Sequence, residues 1–314
     1  MRSPAHTVKE RVRPVCDQGV TEGNVWGLKL EDVIMALPTA ILKGIEKLDP
    51  MPVTAQKLVG MVNNEDVSLS QIAEVVEYDE ALMSNILRVA NSVYFQRGRE
   101  IKDARSAVVR LGGSNILNII LGQFLRNISV AAPLYDLSED DLWLHSVVAA
   151  LAAEEVGRQT PVAIPEIARV AALVHDVGKL IMVRYIQADF RNVLALAARK
   201  NLSFVEAERE LFGFDHAEVG GAVAREWGFP EEVRDAIERH HTYPLEDSHP
   251  VLDAVVLSNL VAKTMAVGLG AEGMNFDVDE GIRQRLQLNF NRFCLICANV
   301  ETRLSKMKET YGVH

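Results

Sequence analysis

Residues 203–230, with the sequence SFVEAERELFGFDHAEVGGAVAREWGFP, contain two helix starts within one short stretch. Ser203 with Glu206 forms a capping-box pattern, in which each side chain satisfies a backbone N–H at the start of a helix. Asp215 with Glu218 repeats the pattern, and apolar residues at helical spacing follow both pairs. The stretch therefore predicts two consecutive α-helices.

The same helix signals recur on both sides of this stretch. Ser68 with Gln71 makes a further capping-box pattern. Pro230 and Pro250 are typical of the first helical turn, because proline lacks an N–H that would find no helical partner there. From Leu28 onward almost every segment fits a helix, and persuasive alternating strands are missing. The sequence therefore predicts an all-α protein.

Composition divides the chain into three parts. Residues 1–27 are rich in proline and glycine and have little apolar periodicity, which is typical of an arm or a loosely docked extension. We expect a boundary near Pro133, because Ser138 then restarts a helix with acidic residues in its first turn. This predicts an N-terminal helical bundle at 28–135 and a second helical domain, with a C-terminal helix, at 136–314.

Composition and charge also exclude several functional classes. The chain has 314 residues and 48% hydrophobic residues, as an ordinary globular protein has, so wholesale disorder is excluded. Its 33 basic and 43 acidic residues give a net charge of −10, which argues against nucleic-acid binding and against an anionic membrane surface. No apolar signal segment or membrane span is visible, and three cysteines cannot form a disulfide framework for this length. We expect a cytoplasmic protein.

Histidines and carboxylates in the second half of the chain are candidate metal ligands: Asp141, His145, His175, Asp176, His216, His240 and His241. Asp141 and His145 share a helical face, and His175 with Asp176 follows an apolar run. Imidazole with carboxylate suits Fe, Mn or Zn, in a mononuclear site or in a dinuclear site that Asp176 could bridge. The alternative is that these are ordinary hydrogen-bonded histidines of the core or the surface.

A phosphate could also be recognised beside such a site. Lys179 follows Asp176 by one helical turn, so its ammonium group could steady phosphate charge. A bound cation could lower the pKa of a water molecule and orient phosphate oxygens. The residues alone therefore leave both metal-dependent hydrolysis and simple metal binding open.

Several motifs in order give the chain a family resemblance. His175-Asp176-Val177-Gly178-Lys179, preceded by His145, resembles the HD superfamily of metal-dependent phosphohydrolases. The match is closer to one branch, the HDOD signalling domains, and it covers about residues 35–265. The other segments that carry it are RVANSVYF at 88–95, IKDARSAVVRLG at 101–112, LFGFDHAEVG at 211–220, WGFP at 227–230 and the pair at 240–241.

The resemblance implies an all-α protein in which an N-terminal helical subdomain packs against an HD-like domain. HDOD proteins act in bacterial signalling, commonly as output or regulatory modules. The related HD-GYP phosphodiesterases hydrolyse cyclic di-GMP at a two- or three-metal site. Carried over by position, the ligands of that site fall on Asp141, His145, His175, Asp176, His216, His240 and His241, with Lys179 contacting phosphate and Asn259 at the final aspartate position.

Two departures from the HD enzymes argue against catalysis. Asn259 supplies a neutral amide, which is a weaker cation ligand than the expected carboxylate. The loop after His241 is shortened to Thr242-Tyr243-Pro244. We therefore predict a regulatory module with a metal-binding pocket, a signalling protein as its partner and no catalytic residue. The alternatives are a metal-dependent phosphohydrolase or cyclic-dinucleotide phosphodiesterase, which would use Lys179 and Asp176, and a domain that binds a small nucleotide without hydrolysing it.

Three weaker patterns have structural interpretations. Cys294 and Cys297 share a C-x-x-C spacing inside an apolar helical segment, so we expect two buried small side chains. Residues 268–273 match G-x-G-x-x-G in letters but follow a helix, so we expect a loop. Arg88 and Asn91 begin a basic stretch, where we expect them to anchor the following loop through its backbone carbonyls.

Overall fold

The computed structural model describes residues 37–62, 64, 66–77, 79–92, 95, 98–128, 139–185, 190–242, 247–267 and 279–311. Within these ranges every regular element is a helix and there is no strand, so the all-α prediction is confirmed. The predicted arm at residues 1–27 and the expected boundary near Pro133 lie outside the described residues.

The first half of the described chain contains six helices, which are α1 (Thr39–Glu46), α2 (Val53–Val62), α3 (Leu69–Glu77), α4 (Glu80–Ala90), α5 (Ala104–Leu111) and α6 (Gly113–Ile128). Asp79 caps α4 and Asp103 caps α5, each by accepting a backbone N–H. The Asn91 amide donates to the carbonyl of Ile101 and accepts its N–H, both at 2.7 Å. Asn91 therefore ties the end of α4 to the segment that leads into α5.

The second half contributes the remaining helices: α7 (Glu139–Gln159), α8 (Ile167–Val174), α9 (Val177–Tyr185), α10 (Phe190–Lys200), α11 (Phe204–Phe212), α12 (His216–Glu226), α13 (Glu231–Arg239), α14 (Pro250–Thr264), α15 (Glu280–Arg285) and α16 (Phe290–Tyr311). Helix α14 packs on α7, α8 and α13, helix α8 also packs on α7 and α13, and α12 packs on α9 and α13. This arrangement brings several helix ends to one point inside the domain.

The predicted capping boxes are present, because local sequence sets them. The boxes of Ser203 and of Asp215 start α11 and α12, and Ser68 exchanges hydrogen bonds with Gln71 before α3. Pro250 is the first residue of α14. Pro230 instead occupies the N-cap of α13, one residue earlier than predicted.

The two groups of helices share one hydrophobic core. Helix α6 packs on α7 and α8, and α1 packs on α9 and α12. The buried apolar side chains of both groups form one continuous cluster. The packing of an N-terminal group of helices against the second group is as predicted, and the division into separate domains at 28–135 and 136–314 stays a prediction.

Helices α5 and α6 follow each other with only Gly112 between them. They are bent by 100° relative to each other, and together they pass a length and composition test for a broken membrane span. Among the described helices none is by itself long and apolar enough to cross a membrane. In this structure α6 packs on protein, with nine of its residues buried.

The weaker sequence patterns have mixed outcomes. Cys294 and Cys297 lie on helix α16, as expected for that segment. Cys294 is exposed and Cys297 is half-buried, so the predicted burial of both thiols is wrong. The glycine-rich pattern at 268–273 lies outside the described residues.

Candidate metal centre

The predicted ligands sit mostly at helix ends that converge inside the second half of the protein. His175 caps the C-terminus of α8, and Asp176 lies in the turn before α9. His216 is the first residue of α12, held by the capping box of Asp215. His240 caps the C-terminus of α13, and His145 projects from the middle of α7. Helix ends fix both the backbone and the direction of these side chains.

The Asp176 carboxylate is the centre of this convergence. Its Oδ1 lies 3.3 Å from His216 Nε2 and 3.6 Å from His240 Nε2. Its Oδ2 lies 3.4 Å from His175 Nε2 and 3.6 Å from His145 Nε2. Four imidazoles thus present the same ring nitrogen to one carboxylate that is 2% exposed.

Two overlapping groups of side chains could each hold a metal ion. The first contains Asp176, His216, His240 and His241, and the second contains His145, His175 and Asp176. Within each group the ligand atoms all lie within 4.8 Å of one another. His241 Nε2 is 3.1 Å from His216 Nε2, which places it on the Oδ1 side of Asp176.

A second layer of partners orients the imidazoles through their other ring nitrogens. Nδ1 of His175 lies 2.8 Å from the Ala172 carbonyl, and Nδ1 of His240 lies 2.6 Å from that of Ile237. Both are carbonyls of the preceding helical turn. A ring that donates from Nδ1 presents the lone pair of Nε2, which is the form that a metal ion binds.

The two remaining buried imidazoles have partners on other elements of the fold. Nδ1 of His145 lies 2.9 Å from the Val267 carbonyl, just beyond α14. Nδ1 of His216 lies 2.8 Å from the carboxylate of Glu208, on α11. Glu208 also accepts the backbone N–H of His216 at 3.0 Å.

The centre contains polar atoms that lack a hydrogen bond of good geometry. These are Nε2 of His175, Nε2 of His240 and Oδ1 of Asp176, all buried. A buried polar atom without a partner costs about 1–3 kcal/mol, so such atoms need an explanation. All three belong to the two groups above, and a cation bound among them would satisfy them. The residues therefore fit a transition metal.

Charges around the centre set the protonation of its members. Burial opposes ionisation of Asp176, but His175 and Lys179 hold the pKa of its carboxyl well below the ordinary value. Burial lowers the pKa of His175 well below its usual range. Burial also opposes the charged form of His216, but the Glu208 carboxylate outweighs it and raises the pKa of His216 to about 10.

In metal-stripped protein, protonated His216 is expected to contribute to the free energy of unfolding, and this contribution should be lost as the pH rises from 6.5 to about 10, the pKa of His216 in the folded state. Below 6.5 the imidazolium pairs fully with Glu208, and above the folded pKa the pair is lost. Urea denaturation of the wild type and of Glu208→Gln across this range measures the effect. The difference in free energy of unfolding between the two should shrink as the pH rises, and a constant difference would contradict the pairing.

Lys179 and Asn259 complete the surroundings of Asp176, whereas Asp141 does not. Lys179 Nζ lies 2.8 Å from Asp176 Oδ2 and is buried. Asn259 Oδ1 lies 3.2 Å from His145 Nε2. Asp141 is half-buried one turn before His145 and belongs to neither metal-binding group.

Glu208 was not identified from the sequence. It lies on α11 among other acidic residues, in the run Glu-Ala-Glu-Arg-Glu at 206–210. Nothing in that run distinguishes a buried acid from a solvent-facing one. Glu208 is two residues after Glu206, so the two side chains lie on opposite faces of α11. Glu206 belongs to the capping box of Ser203.

Asp176 also lines a small void on the side of α6, α7 and α9, whose lining contains none of the candidate imidazoles. The small void that Asp176 lines, together with Leu125, Ser146 and Leu180, measures about 10 Å³. That volume is close to the minimum needed for one water molecule. The protein's large cavity, of about 560 Å³, has none of the predicted ligands in its lining.

The same fold occurs in several solved structures. An HDOD domain protein of unknown function from Geobacter sulfurreducens superposes with a TM-score of 0.70 at 23% identity, covering 87% of this chain and 97% of that chain. A provisionally named signal transduction protein from Marinobacter aquaeolei VT8 gives 0.69 at 18% identity, covering 91% and 68%. A provisionally named phosphohydrolase from Shewanella amazonensis SB2B gives 0.64 at 20%, covering 87% and 98%. At these identities the likeness is one of fold.

Sequence comparison assigns the family. An uncharacterized protein of Treponema pallidum (strain Nichols) is 24% identical over 243 residues, which is 75% of this chain and 46% of that protein. The chain therefore spans less than half the length of this relative. The sequence profile of the HDOD domain matches residues 48–243, which include all the histidines of the two metal-binding groups. This chain belongs to the HDOD domain family.

Proposed function

We propose that this protein is a signalling module in which one divalent transition metal, Fe, Mn or Zn, is held by Asp176, His216, His240 and His241 and stabilises the fold without catalysis. The observation that carries the proposal is a pair of buried atoms. Asp176 Oδ1 and His240 Nε2 lie 3.6 Å apart, and neither makes a hydrogen bond of good geometry. His216 and His241 direct Nε2 to the same place.

Charge favours one cation over two. Asp176 is the single carboxylate shared by the two groups, and its Oδ2 already receives Lys179. Glu208 adds a second negative charge behind His216. Two divalent cations beside Lys179 would leave a large excess of positive charge in a buried site, which costs several kcal/mol per uncompensated ion. With Asp176, Glu208 and Lys179 charged, one divalent cation leaves a net charge of about +1, against about +3 for two.

The Oδ1 side of Asp176 suits that cation better than the Oδ2 side. On the Oδ2 side a cation would sit beside the Lys179 ammonium and beside the neutral amide of Asn259. On the Oδ1 side three imidazoles and a carboxylate oxygen are available. Three nitrogen ligands with one oxygen are a common set for Zn, Fe and Mn.

The residues of the chain would act by joining helices. The side chains of the proposed site come from the turn between α8 and α9, from the start of α12 and from the end of α13. When bound, the metal supplies a cross-link among these elements and compensates their lone pairs. Loading requires the His216 imidazolium to lose its Nε2 proton, while the Nδ1 proton stays in the hydrogen bond to Glu208, because only neutral imidazole is a ligand. The predicted signalling partner and cytoplasmic location stay predictions.

Two features favour binding over hydrolysis. The candidate ligands His175, Asp176, His216 and His240 are all buried. Lys179, which would have to contact a phosphate, pairs with Asp176 instead.

A metal-dependent phosphohydrolase or cyclic-dinucleotide phosphodiesterase is the second candidate. The observation in its favour is the second ligand group, His145 and His175 with Asp176, which could add a further metal. The similarity of fold to the provisionally named phosphohydrolase from Shewanella amazonensis is consistent with it. Binding of a small nucleotide without hydrolysis is a third candidate, which calorimetry with cyclic and linear nucleotides would test.

Elemental analysis with an activity assay separates the first two candidates. Protein purified without chelators is expected to contain about one Fe, Mn or Zn per chain and to lose it in His240→Ala. The same protein, supplemented with Mn or Fe, is expected to leave a chromogenic phosphodiester and cyclic di-GMP intact. Removal of the metal should lower the melting temperature.

His145→Ala is the matched variant for this experiment, because it alters the other ligand group. One metal per chain should remain in that variant. Two metals per chain, with turnover abolished by His175→Ala, would establish the phosphohydrolase instead. Protein that contains no metal and gains no stability from added Zn, Mn or Fe would refute metal binding altogether.

A further inference from the structure

A cavity of about 560 Å³ has none of the candidate imidazoles in its lining and has no role in the function proposed above. Such a volume falls within the range of small-molecule sites. Helices α4, α6 and α7 supply most of its walls, and α8 and α16 contribute one residue each. The cavity therefore lies where the two groups of helices meet.

One segment that carries the family resemblance lines this cavity and not the metal centre. The lining includes four residues of the stretch RVANSVYF at 88–95, which are Arg88, Val89, Ser92 and Phe95. None of them belongs to either metal-binding group. Helix α4 ends inside this stretch, and Asn91 ties that end to the chain leading into α5. This wall of the cavity is therefore held by contacts outside the metal centre.

The deeper walls of the cavity are apolar and partly aromatic. The buried residues of the lining are Val89, Gly122, Trp143, Val147, Ala150 and Leu173. The Trp143 indole N–H donates to the Gly122 carbonyl at 2.9 Å, so the polar edge of the indole is satisfied by the fold. Phe95 adds a second aromatic ring, which is half-buried. Walls of this kind favour an aromatic ligand, because rings pack well against rings.

Gly122 leaves the space for such a ligand. It is buried in the interior of α6, where glycine is unfavourable for the helix. A Cβ at Gly122 would nevertheless meet nothing within 4 Å, so packing between helices does not require a glycine there. Since Gly122 lines the cavity, the missing side chain keeps its floor open.

The charged side chains of the lining are engaged with protein groups. Arg303 pairs with Glu154 at 2.6 Å. The Arg126 guanidinium lies 4.9 Å from the centre of the Trp143 ring, and Arg88 donates at 2.6 Å to the side-chain oxygen of the residue one turn earlier in α4. An ionised ligand would lose its water and meet charges that already have partners, which is unfavourable. The lining therefore favours an uncharged ligand.

One hydrogen-bonding atom of the wall lacks a partner. Asn118 Oδ1 is buried and accepts no hydrogen bond from the described residues. Asn118 and Gly122 are four residues apart on α6 and both line the cavity, so they share one helical face. Asn115, by contrast, donates to the Leu111 carbonyl at 2.6 Å and accepts from Arg169 at 3.1 Å. A buried acceptor without a donor is unfavourable, and a ligand with an N–H or O–H group would satisfy it.

We propose that this cavity binds a small, uncharged aromatic molecule that carries an N–H or O–H donor. The rings lie on the floor against Trp143 and beside Gly122, and the donor reaches Asn118 Oδ1. A molecule bound there contacts helices of both groups, so it stabilises the folded protein by mass action. This binding does not depend on the metal site.

N-Phenylnaphthylamine is a suitable probe, because it is uncharged and aromatic, has one N–H, and gains fluorescence in apolar surroundings. Titration of the full chain is expected to show one binding site and a rise in melting temperature. Phenoxynaphthalene has the same shape with an ether oxygen in place of the N–H. It should compete about tenfold more weakly or worse, because its oxygen would face another acceptor. Anilinonaphthalene sulfonate adds a negative charge and should bind no more tightly than the uncharged amine.

Asn118→Leu tests the donor. Leucine removes the amide oxygen, keeps about the same volume and is the better helix former. The variant should bind the amine and the ether with similar affinity, because no acceptor remains to distinguish them. The measured quantity is the ratio of the two affinities, which a general loss of packing would not change.

Gly122→Leu tests the location. It fills the floor of the cavity, should fold at least as stably as the wild type, and should bind the amine about tenfold more weakly or worse. Gly60→Leu is the matched control, since Gly60 is an exposed glycine of α2 whose Cβ would also meet nothing. It should bind the amine like the wild type. If Gly122→Leu fails to fold, the ratio measured with Asn118→Leu still decides the proposal.

Four results would overturn the proposal. One is the absence of saturable binding of the amine to the wild type, and another is equal affinity of Gly122→Leu and Gly60→Leu for it. The third is a wild type that binds the ether as tightly as the amine, or a preference for the amine that survives in Asn118→Leu. The fourth is tighter binding of the sulfonate than of the amine, which would make the ligand an anion.

Discussion

Gly178→Ala is expected to lower the free energy of unfolding by on the order of 4 kcal/mol or more, and to abolish metal binding. A Cβ at Gly178 would lie 1.9 Å from the carbonyl oxygen of His216 and 2.6 Å from the backbone nitrogen of Gly220. Both atoms are backbone of α12, so no side-chain rotation relieves the overlap. Helices α9 and α12 would have to separate.

The separation would act directly on the proposed metal centre. Gly178 follows Asp176 by two residues, and the carbonyl it approaches is that of His216 itself. Moving α12 away by an ångström or more withdraws His216 Nε2 from Asp176 Oδ1, now 3.3 Å apart. We therefore expect the losses of stability and of metal to occur together.

Urea denaturation and elemental analysis of Gly178→Ala measure both losses. Gly157→Ala is the control, because Gly157 is exposed on the surface of α7. Its Cβ would make only an ordinary contact of 3.5 Å with Ile164. That variant should be unchanged or slightly more stable, by up to about 1 kcal/mol. If Gly178→Ala is insoluble when expressed and Gly157→Ala is soluble, that result also agrees with the prediction. A soluble Gly178→Ala protein within about 1 kcal/mol of the wild type would contradict it.

Asp176→Asn is expected to destabilise the metal-stripped protein by about 3–5 kcal/mol and to remove the metal site. The asparagine keeps the shape of the side chain but removes the negative charge. Lys179 is 3% exposed and would lose the carboxylate that its ammonium group now contacts at 2.8 Å. The protonated His216 imidazole, 3.3 Å from the carboxylate, would lose it as well.

A double-mutant cycle with Lys179→Met isolates the buried pair. If the two charges stabilise each other, the double variant should be less destabilised than the sum of the single variants, by about 1–3 kcal/mol. Strictly additive losses would show that Asp176 and Lys179 act independently. Lys179→Met alone should still bind metal, because Lys179 is no ligand, whereas Asp176→Asn should not.

The sequence predicted local structure well because the signals are local. A capping box such as Ser203 with Glu206 satisfies backbone groups within four residues, so its energy does not depend on the rest of the fold. Pro230 shows the limit of such rules. Proline is tolerated both at the N-cap and in the first turn, and the prediction was wrong by one residue.

The candidate site was predicted in part. The residues themselves gave the histidines and Asp176 as candidate ligands, and the resemblance to the HD superfamily gave the same set, which the structure brings together in two groups whose ligand atoms lie within 4.8 Å of one another. Both the spacing and the resemblance also named Asp141, which belongs to neither group. Glu208 was missed, because a buried acid that orients an imidazole has the same local pattern as an exposed one.

The amino-acid sequence by itself determined the helical class and the helix starts, because periodicity and capping depend on neighbours in the chain. It also supplied the imidazole and carboxylate candidates, because residue type alone identifies a possible ligand. Packing alone set the rest. Helix α12 lies against Gly178 because no side chain intervenes, and this contact puts His216 beside Asp176. The large cavity joins side chains as distant as Arg88 and Arg303. Contacts between residues so far apart depend on the whole fold, and no local pattern encodes them.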